Sequence, residues 1–433
     1  MSDIKNVLFW GDNPHGITGF GKVIKNIVRQ VFDEEKYKID VLGIGYMGDP
    51  YLPDQYNGKT FMYDVYTPFE VGKQIDLYGS NKLMSFLATG KVDILFILQD
   101  TFIIKNVMKN ILELRTKIKK KFVIIYYYPI DNSFVYPNWI TDAVSLVDIP
   151  VCYTEFGKKV SMKHDSKLRN MDVIYHGTDK NLYRKWDESL KSSMRTSFWG
   201  PGFDKKFIIL NVNRNQPRKD LNRTLCVFAE VKKQIPEAFL FMLASPADIG
   251  GNLIDMGLQL GLKWGEDFMT PDPTKYNPTV GIPEEQIVTM YNTADVCIST
   301  TLGEGWGLSL TEAMACGCPV IFPDNTSISE IIEKGSEEFN YISLRGSLIK
   351  SGDNGNRICL GPPDNNLSRP LTNVMEMVKE IILLYDNINE ESNLFKVRAK
   401  DAIEWVPSWD KVGEQWREIF KQACDILEQR NGE

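Results

Sequence analysis

Histidine is scarce, with three in 433 residues. The closest pair among the seven cysteines, Cys316-Gly-Cys318, has no second Cys/His pair beside it, so reduced core thiols are expected rather than a metal centre. Positive charge is in deficit. The 50 Lys and Arg stand against 57 Asp and Glu, a net charge of -7, which argues against general nucleic-acid binding and leaves room only for a local basic patch. Long apolar runs are missing too. Phe122-Val-Ile-Ile-Tyr-Tyr-Tyr128 and Ala238-Phe-Leu-Phe-Met-Leu-Ala244 are of strand length, far short of the roughly 20 residues a membrane-crossing helix needs. No transmembrane segment is expected, although peripheral membrane contact stays open. Met1-Ser-Asp-Ile-Lys5 enters a strand without an apolar leader, so no secretory signal and a cytoplasmic location are expected. No Asp-x-Asp closes any expected strand, so a Mg or Mn ion held by carboxylates is not expected either.

What is present is ordinary globular material, 43% hydrophobic and 25% charged, long enough for two or three domains. Apolar runs of strand type alternate with helical patterns: Asn6–Trp10, then Lys22–Phe32; Ile39–Gly43; a helix near Gly79–Thr89; Val92–Leu98, then Lys105–Lys119; Phe122–Tyr128. Such repetition predicts an α/β fold with parallel sheets. A second series begins at Phe207–Asn213 and runs through Leu221–Gln234, Phe239–Leu243 and Glu284–Tyr291. Between the two series, Lys180–Lys205 is charged and lacks a clean period, as an interdomain connection would. The last helix shows an apolar stripe of Trp409, Val412, Trp416, Ile419, Phe420, Ala423, Ile426 and Leu427, which core packing explains. Gly346–Asn366 is rich in Gly, Asn and Pro and reads as a surface insertion.

The most informative stretch is Ser299–Ile321. A strand, Ala294–Ile298, ends in a turn carrying Gly303, Gly305 and Gly307, and a helix from Leu308 to Ala315 stops at Gly317-Cys-Pro319. The free N–H groups of Leu308 and Ser309, at the positive end of that helix, suit a phosphate. Glu304 and Glu312 frame the spot, and acceptor-only carboxylates suit sugar hydroxyls. After the strand at Phe207, Arg214-Asn-Gln-Pro-Arg-Lys-Asp220 puts cations at a strand-to-helix turn, where open α/β sheets bind ligands.

Glu304 and Glu312 with Gly305-Trp-Gly-Leu308 between them, followed by Glu-Ala-Met-Ala-Cys-Gly-Cys-Pro-Val320, resemble the signature of retaining glycosyltransferases of family 4. The resemblance implies a GT-B fold of two facing Rossmann-like domains. These would be residues 1–185 with the C-terminal helix 409–433 on the acceptor side, and residues 186–408 on the nucleotide-sugar side. It implies a donor that is a nucleotide-diphosphate sugar, UDP- or GDP-linked, an acceptor that is a carbohydrate or other hydroxyl compound, and no separate cofactor or metal. By the resemblance Glu304 approaches the transferred sugar and Glu312 the ribose. Gly305, Trp306, Gly307, Leu308 and Ser309 hold the diphosphate, which Arg214 and Lys219 neutralise, with Arg218 able to replace either cation.

In the first domain the resemblance sets Gly19, Phe20 and Gly21 toward the donor phosphates. The competing P-loop reading of Gly16 to Lys22 fails because Val23 has no hydroxyl for Mg. Asp131 stands where many members of the family carry a functional His. It either acts on the acceptor, as a catalytic candidate beside Glu304, or caps the turn after its strand. His176 is expected to bond its own loop. An epimerase or a non-catalytic nucleotide-sugar-binding protein of the same architecture remains an alternative.

Overall fold

Ile94-Leu-Phe-Ile-Leu98 and Val123-Ile-Ile-Tyr-Tyr-Tyr128 are buried at every position. Strands so uniformly apolar are those of a parallel sheet with both faces covered. The computed structural model describes the chain apart from residues 1–3, 49, 51–55, 64–75, 120, 273–280, 337–340, 353–358, 361–364, 391–392 and 433. The loop around Gly48-Asp-Pro50, the middle of the Trp264–Pro283 loop and much of Gly346–Asn366 therefore lie partly outside the described residues. The chain divides into two units: Met1–Ile130, Phe134–Gly177 and Trp409–Glu433 form one, Asp131–Ser133 and Thr178–Ser408 the other.

The first unit is built on strands β1 (Lys5–Asp12), β2 (Tyr37–Ile44), β3 (Thr60–Phe61), β4 (Ile94–Leu98), β5 (Val123–Tyr128), β6 (Ile149–Cys152) and β7 (Asp172–Val173). They pair in parallel in the order β3-β2-β1-β4-β5-β6-β7. Helices α1 (Gly19–Val31), α2 (Ser80–Ala88), α3 (Thr101–Lys117), α4 (Pro137–Thr141) and α5 (Glu155–Met162) lie between strands. The C-terminal helix Trp409–Gly432 returns to this unit and seats its apolar stripe on the sheet. Phe420 stacks 6.0 Å from Phe9 and 6.1 Å from Phe96, and Trp416 meets Tyr127 edge-on at 4.7 Å. His176, expected to bond its own loop, reaches Tyr127 of β5. Its Nδ1 lies 2.8 Å from the Tyr127 hydroxyl, and burial pushes the imidazole down to about 3, so it is a neutral core group.

The second unit carries β8 (Phe207–Val212), β9 (Ala238–Leu243), β12 (Phe268–Met269), β13 (Val296–Ile298), β14 (Val320–Pro323) and β17 (Ser347–Ile349), in the parallel order β12-β9-β8-β13-β14-β17. Short antiparallel pairs flank it: β10 (Ala247–Asp248) with β11 (Gly251–Asn252), β15 (Glu333–Ser336) with β16 (Tyr341–Leu344), and β18 (Cys359–Leu360) with β19 (Arg369–Pro370). Its helices are α6 (Glu188–Trp199), α7 (Leu221–Gln234), α8 (Leu253–Gln259), α9 (Glu284–Thr293), α10 (Leu308–Ala315), α11 (Thr326–Ile332), α12 (Val374–Asn387) and α13 (Leu394–Trp405).

Three features differ from the sequence reading. The boundary falls after Gly177 rather than after residue 185, because Asn292 of the second unit accepts from the Trp186 amide at 2.8 Å and donates to the Arg184 carbonyl at 3.1 Å. The charged connection contains α6, none of whose residues is buried. It is held by Asp187, which caps it, by Trp199 against Phe241 at 5.2 Å, and by Arg195, whose guanidinium grips Asp295 at 2.7 and 3.0 Å. The expected surface insertion begins with β17, an edge strand of the sheet.

Trp416 is fully buried against Phe96 and Tyr127. Trp416→Ala should therefore cost about 3–5 kcal/mol, the range for emptying a buried aromatic site. Denaturant unfolding of the full chain should show an earlier transition for the first unit. An unchanged midpoint would mean that the helix stripe does not hold this core.

Candidate active site

Strand order in the second unit decides where its loops meet. β8 is followed in the chain by β9 on one side, and β13 pairs with its other edge, so the sheet has its switch point between β8 and β13. The crevice beyond the carboxyl ends of such a strand pair is where open α/β sheets bind ligands. The basic loop leaves β8 there and the glycine-rich loop leaves β13. They are stitched together by the backbone, the Leu302 amide donating to the Arg218 carbonyl at 2.8 Å. Beneath them Asn211, Asn213, Thr224, Ser299 and Thr300 form a buried network, with Thr300 donating to the Asp220 carbonyl at 2.8 Å. Buried polar groups this well satisfied hold both loops in one arrangement.

Glu304 lies at the centre of the contacts and is 7% exposed. Lys219 Nζ donates to its Oε1, Arg218 Nη1 donates to its Oε2 at 3.1 Å, and the same Arg218 nitrogen also reaches the Gly303 carbonyl. Burial by itself would raise the Glu304 carboxyl, but Lys219 and Arg218 outweigh it and hold the group at about 2. Burial pushes the Lys219 ammonium down to about 8 against the attraction of Glu304. At neutral pH the pair is therefore ionic.

Serine and threonine side chains fix the turn that carries Glu304. Its amide donates to Thr326 Oγ1 at 3.0 Å, and Ser327 Oγ donates to the carbonyls of Glu304 at 2.8 Å and Trp306 at 3.1 Å. Thr326 holds φ at +52°, a backbone conformation uncommon for a β-branched residue. Asn325-Thr-Ser327 spans the N-cap and first two residues of α11, after β14, and the sequence reading gave these three residues no role. Gly303 has φ +155°, and a Cβ there would come within 2.2 Å of the Asp131 carbonyl oxygen. Gly307, at φ +102°, caps α10. Leu308 and Ser309 then open the helix and are half-buried, with first-turn amides that have no partner within the helix. Trp306 is buried and stacks 6.4 Å from Trp405, while Gly305 is half-buried in the turn. Glu312 is also 7% exposed, and its Oε2 accepts from the Tyr291 hydroxyl at 3.4 Å.

The structure does not bring every expected residue to this spot. Arg214 is 65% exposed and turns to Asp248 of the β10–β11 hairpin, 3.0 Å away, so Arg218 takes the place beside Lys219 that the sequence reading gave first to Arg214. Asp131 does not cap its own turn. It packs with the second unit, where Arg369 Nη1 donates to its carbonyl at 2.7 Å and Nη2 to both carboxylate oxygens at 3.2 Å, with Arg218 Nε 3.4 Å from Oδ2. Arg369, missed by the sequence reading, is fully buried. In the first unit, Gly19, Phe20 and Gly21 open α1. Thr18 accepts from the Gly21 amide at 3.0 Å and donates to Asp12 at 2.7 Å, and a Cβ on Gly21 would lie 2.3 Å from the Asn13 carbonyl oxygen. Phe20 lies edge-on to Tyr153 at 6.5 Å. Among the described residues no group of three or more His, Cys, Asp and Glu converges as metal ligands would, and no helix is long and apolar enough to cross a membrane.

An anion bound at Lys219 needs the ammonium. Affinity for inorganic diphosphate should therefore be full below pH 8 and fall as pH rises through about 8, the value to which burial lowers Lys219. Lys219→Arg should move that alkaline limb above pH ~9, because guanidinium does not deprotonate in this range. Calorimetric titrations across pH check both, and a limb that stays in place in the variant would assign it to another group. At the acid end, Glu304 is depressed from 4.5 to about 2, so its contribution to stability is complete above 4.5 and is lost as pH falls through 2.

Residues 275–355 match the family model described as glycosyl transferases group 1. Curated relatives include the D-inositol 3-phosphate glycosyltransferase of Nocardia farcinica, 25% identical over 205 residues that make up 44% of this chain and 42% of that protein. The enzyme of the same name from Rhodococcus erythropolis is 26% identical over 189 residues, 42% of this chain and 39% of that protein. The chain thus matches about two-fifths of the length of these relatives. Among solved structures, Anabaena HepE in complex with UDP and glucose superposes with a TM-score of 0.67 at 15% identity, covering 96% of this chain and 100% of that one. Sucrose-phosphate synthase of Thermosynechococcus elongatus superposes at 0.69 and 15% identity, covering 98% and 100%. Residues 275–355 are thus similar to glycosyl transferases group 1, and the two parallel sheets have the Rossmann-like form of the GT-B fold.

Proposed function

We propose that the protein transfers a sugar, with retention and without a metal ion, from a nucleotide-diphosphate sugar to a hydroxyl acceptor. The observation that carries this reading is the meeting of Lys219, Arg218 and Glu304 at the switch point of the second sheet, beside the start of α10. A diphosphate leaving group gains charge as the glycosidic bond breaks. Two fixed cations and the amides of Leu308 and Ser309 would bind that charge more tightly in the transition state than in the ground state. Glu304, ionised and held by those cations, would accept hydrogen bonds from hydroxyls of the transferred sugar. Glu312, oriented by Tyr291, would accept from the ribose. UDP is the favoured carrier, because structures of the same fold are complexes with UDP, with UDP and glucose, and with UDP-glucose.

Retention follows if the acceptor attacks the face from which the diphosphate departs. The acceptor oxygen bonds to the anomeric carbon, the bond from that carbon to the phosphate oxygen breaks, and the departing oxygen takes the acceptor proton. No covalent enzyme intermediate is required. The acceptor is a carbohydrate or another hydroxyl compound.

Arg218→Ala and Lys219→Ala should each remove about 2–4 kcal/mol of transition-state stabilisation, comparable to losing one oxyanion donor. Arg214→Ala, at an exposed ion pair, should change the rate by less than about 1 kcal/mol. Transfer or hydrolysis of UDP-sugars by the three variants tests this, and equal losses in all three would remove the assignment of Arg218.

Turnover should also survive EDTA, since the cations that neutralise the diphosphate belong to the chain. Activity that stops with EDTA and returns with Mn or Mg would overturn the metal-free reading.

A further inference from the structure

Among the described residues Arg369 is the largest charged side chain that is completely buried, at 0% exposure. It lies on β19, beyond the residues matched by the family model. A buried guanidinium is costly unless its charge is paired and its donors are used. Here the charge is paired with Asp131, whose carbonyl accepts from Nη1 at 2.7 Å and whose two carboxylate oxygens accept from Nη2 at 3.2 Å. A second bond ties the same two segments, from Asn132 Nδ2 to the Ser368 carbonyl at 3.0 Å.

The Asp131 carboxylate also lies 3.4 Å from Arg218 Nε, while Arg218 Nη1 lies on Glu304 and the Gly303 carbonyl. Arg218 is thus shared between two carboxylates, and Arg369 and Lys219 hold the two outer ends of the row. The charges alternate as Arg369, Asp131, Arg218, Glu304 and Lys219, with cations at both ends. Without Arg369, the half-buried carboxylate of Asp131 would keep Arg218 as its nearest cation and would compete with Glu304 for that guanidinium. Gly303 shows how closely the pieces fit, since a Cβ there would sit 2.2 Å from the Asp131 carbonyl and 3.0 Å from Arg369 Nη1.

We infer that Arg369 is a positioning residue: it occupies the Asp131 carboxylate so that Arg218 keeps its terminal nitrogens on the Glu304 side, available to a nucleoside diphosphate. The inference rests on the proposed diphosphate site and gives Asp131 an organising role instead of one on the reacting atoms.

The test uses the full chain and UDP, with binding by calorimetry and folding by thermal melting. Arg369→Gln should weaken UDP binding roughly tenfold, the scale of coupling within one ionic network. Adding Asp131→Asn should recover most of that affinity, because the orphaned carboxylate is gone. In an Arg218→Ala background, Arg369→Gln should change UDP affinity by less than about twofold. Arg369→Lys keeps a cation and serves where the Gln variant melts too low to assay; it should bind UDP between the wild type and the Gln variant, and wild-type affinity in it would overturn the inference. A double variant that binds no better than Arg369→Gln, or an undiminished loss in the Arg218→Ala background, would also overturn it and leave Arg369 a purely structural residue. Wild-type protein that fails to bind UDP would instead refute the proposed donor site, a result distinct from intact binding with no coupling between Arg369 and Asp131.

Discussion

Burial of Glu304 between Lys219 and Arg218 is the constraint on which the rest of the candidate site depends. Three charged groups are taken out of water together, and an arrangement of that kind is stable only when each charge has a partner and each hydrogen bond is made. The fold meets that demand with backbone and hydroxyl groups. Leu302 stitches the two loops together, the Asn211–Thr224–Thr300 network underlies them, and Thr326 and Ser327 hold the turn that presents Glu304. The positive φ of Thr326 belongs to the same construction, a strained residue retained where its hydroxyl receives the Glu304 amide.

That construction also explains why the charge balance of the chain says little about its ligand. A net charge of -7 describes the surface as a whole, whereas the site is an inward row of three cations and two carboxylates with a local excess of one positive charge. A small polyanion is the ligand proposed for such a place. The first unit makes a contrasting use of its polar groups. His176 and Tyr127 are neutral and buried, and they serve the packing of the C-terminal helix on its sheet.

Several elements were legible in the sequence because their causes are local. α7 and α10 have the ends expected of them, since Asp220 and Gly307 adopt left-handed conformations just before those helices and Cys316-Gly317 follows the second. The parallel order of both sheets follows from strands joined through helices. α6 was illegible for the opposite reason. It lies in a charged stretch, and what holds it, Arg195 on Asp295 and Trp199 on Thr293, spans about a hundred positions of sequence.

By itself the sequence determined the α/β alternation, the glycine-rich turn, the acids that frame it and the presence of a basic loop, because each is written in neighbouring residues whose backbone preferences act over a few positions. Only the tertiary structure decided which cation of Arg214-Asn-Gln-Pro-Arg-Lys219 joins Lys219. Arg214 finds Asp248 in a hairpin and Arg218 finds Glu304, and nothing in the loop distinguishes them before those partners arrive. The partner of Asp131 was decided in the same way. Its partner Arg369 lies 238 positions away in a stretch without a motif, and a buried guanidinium takes the carboxylate that the folded chain puts within its reach.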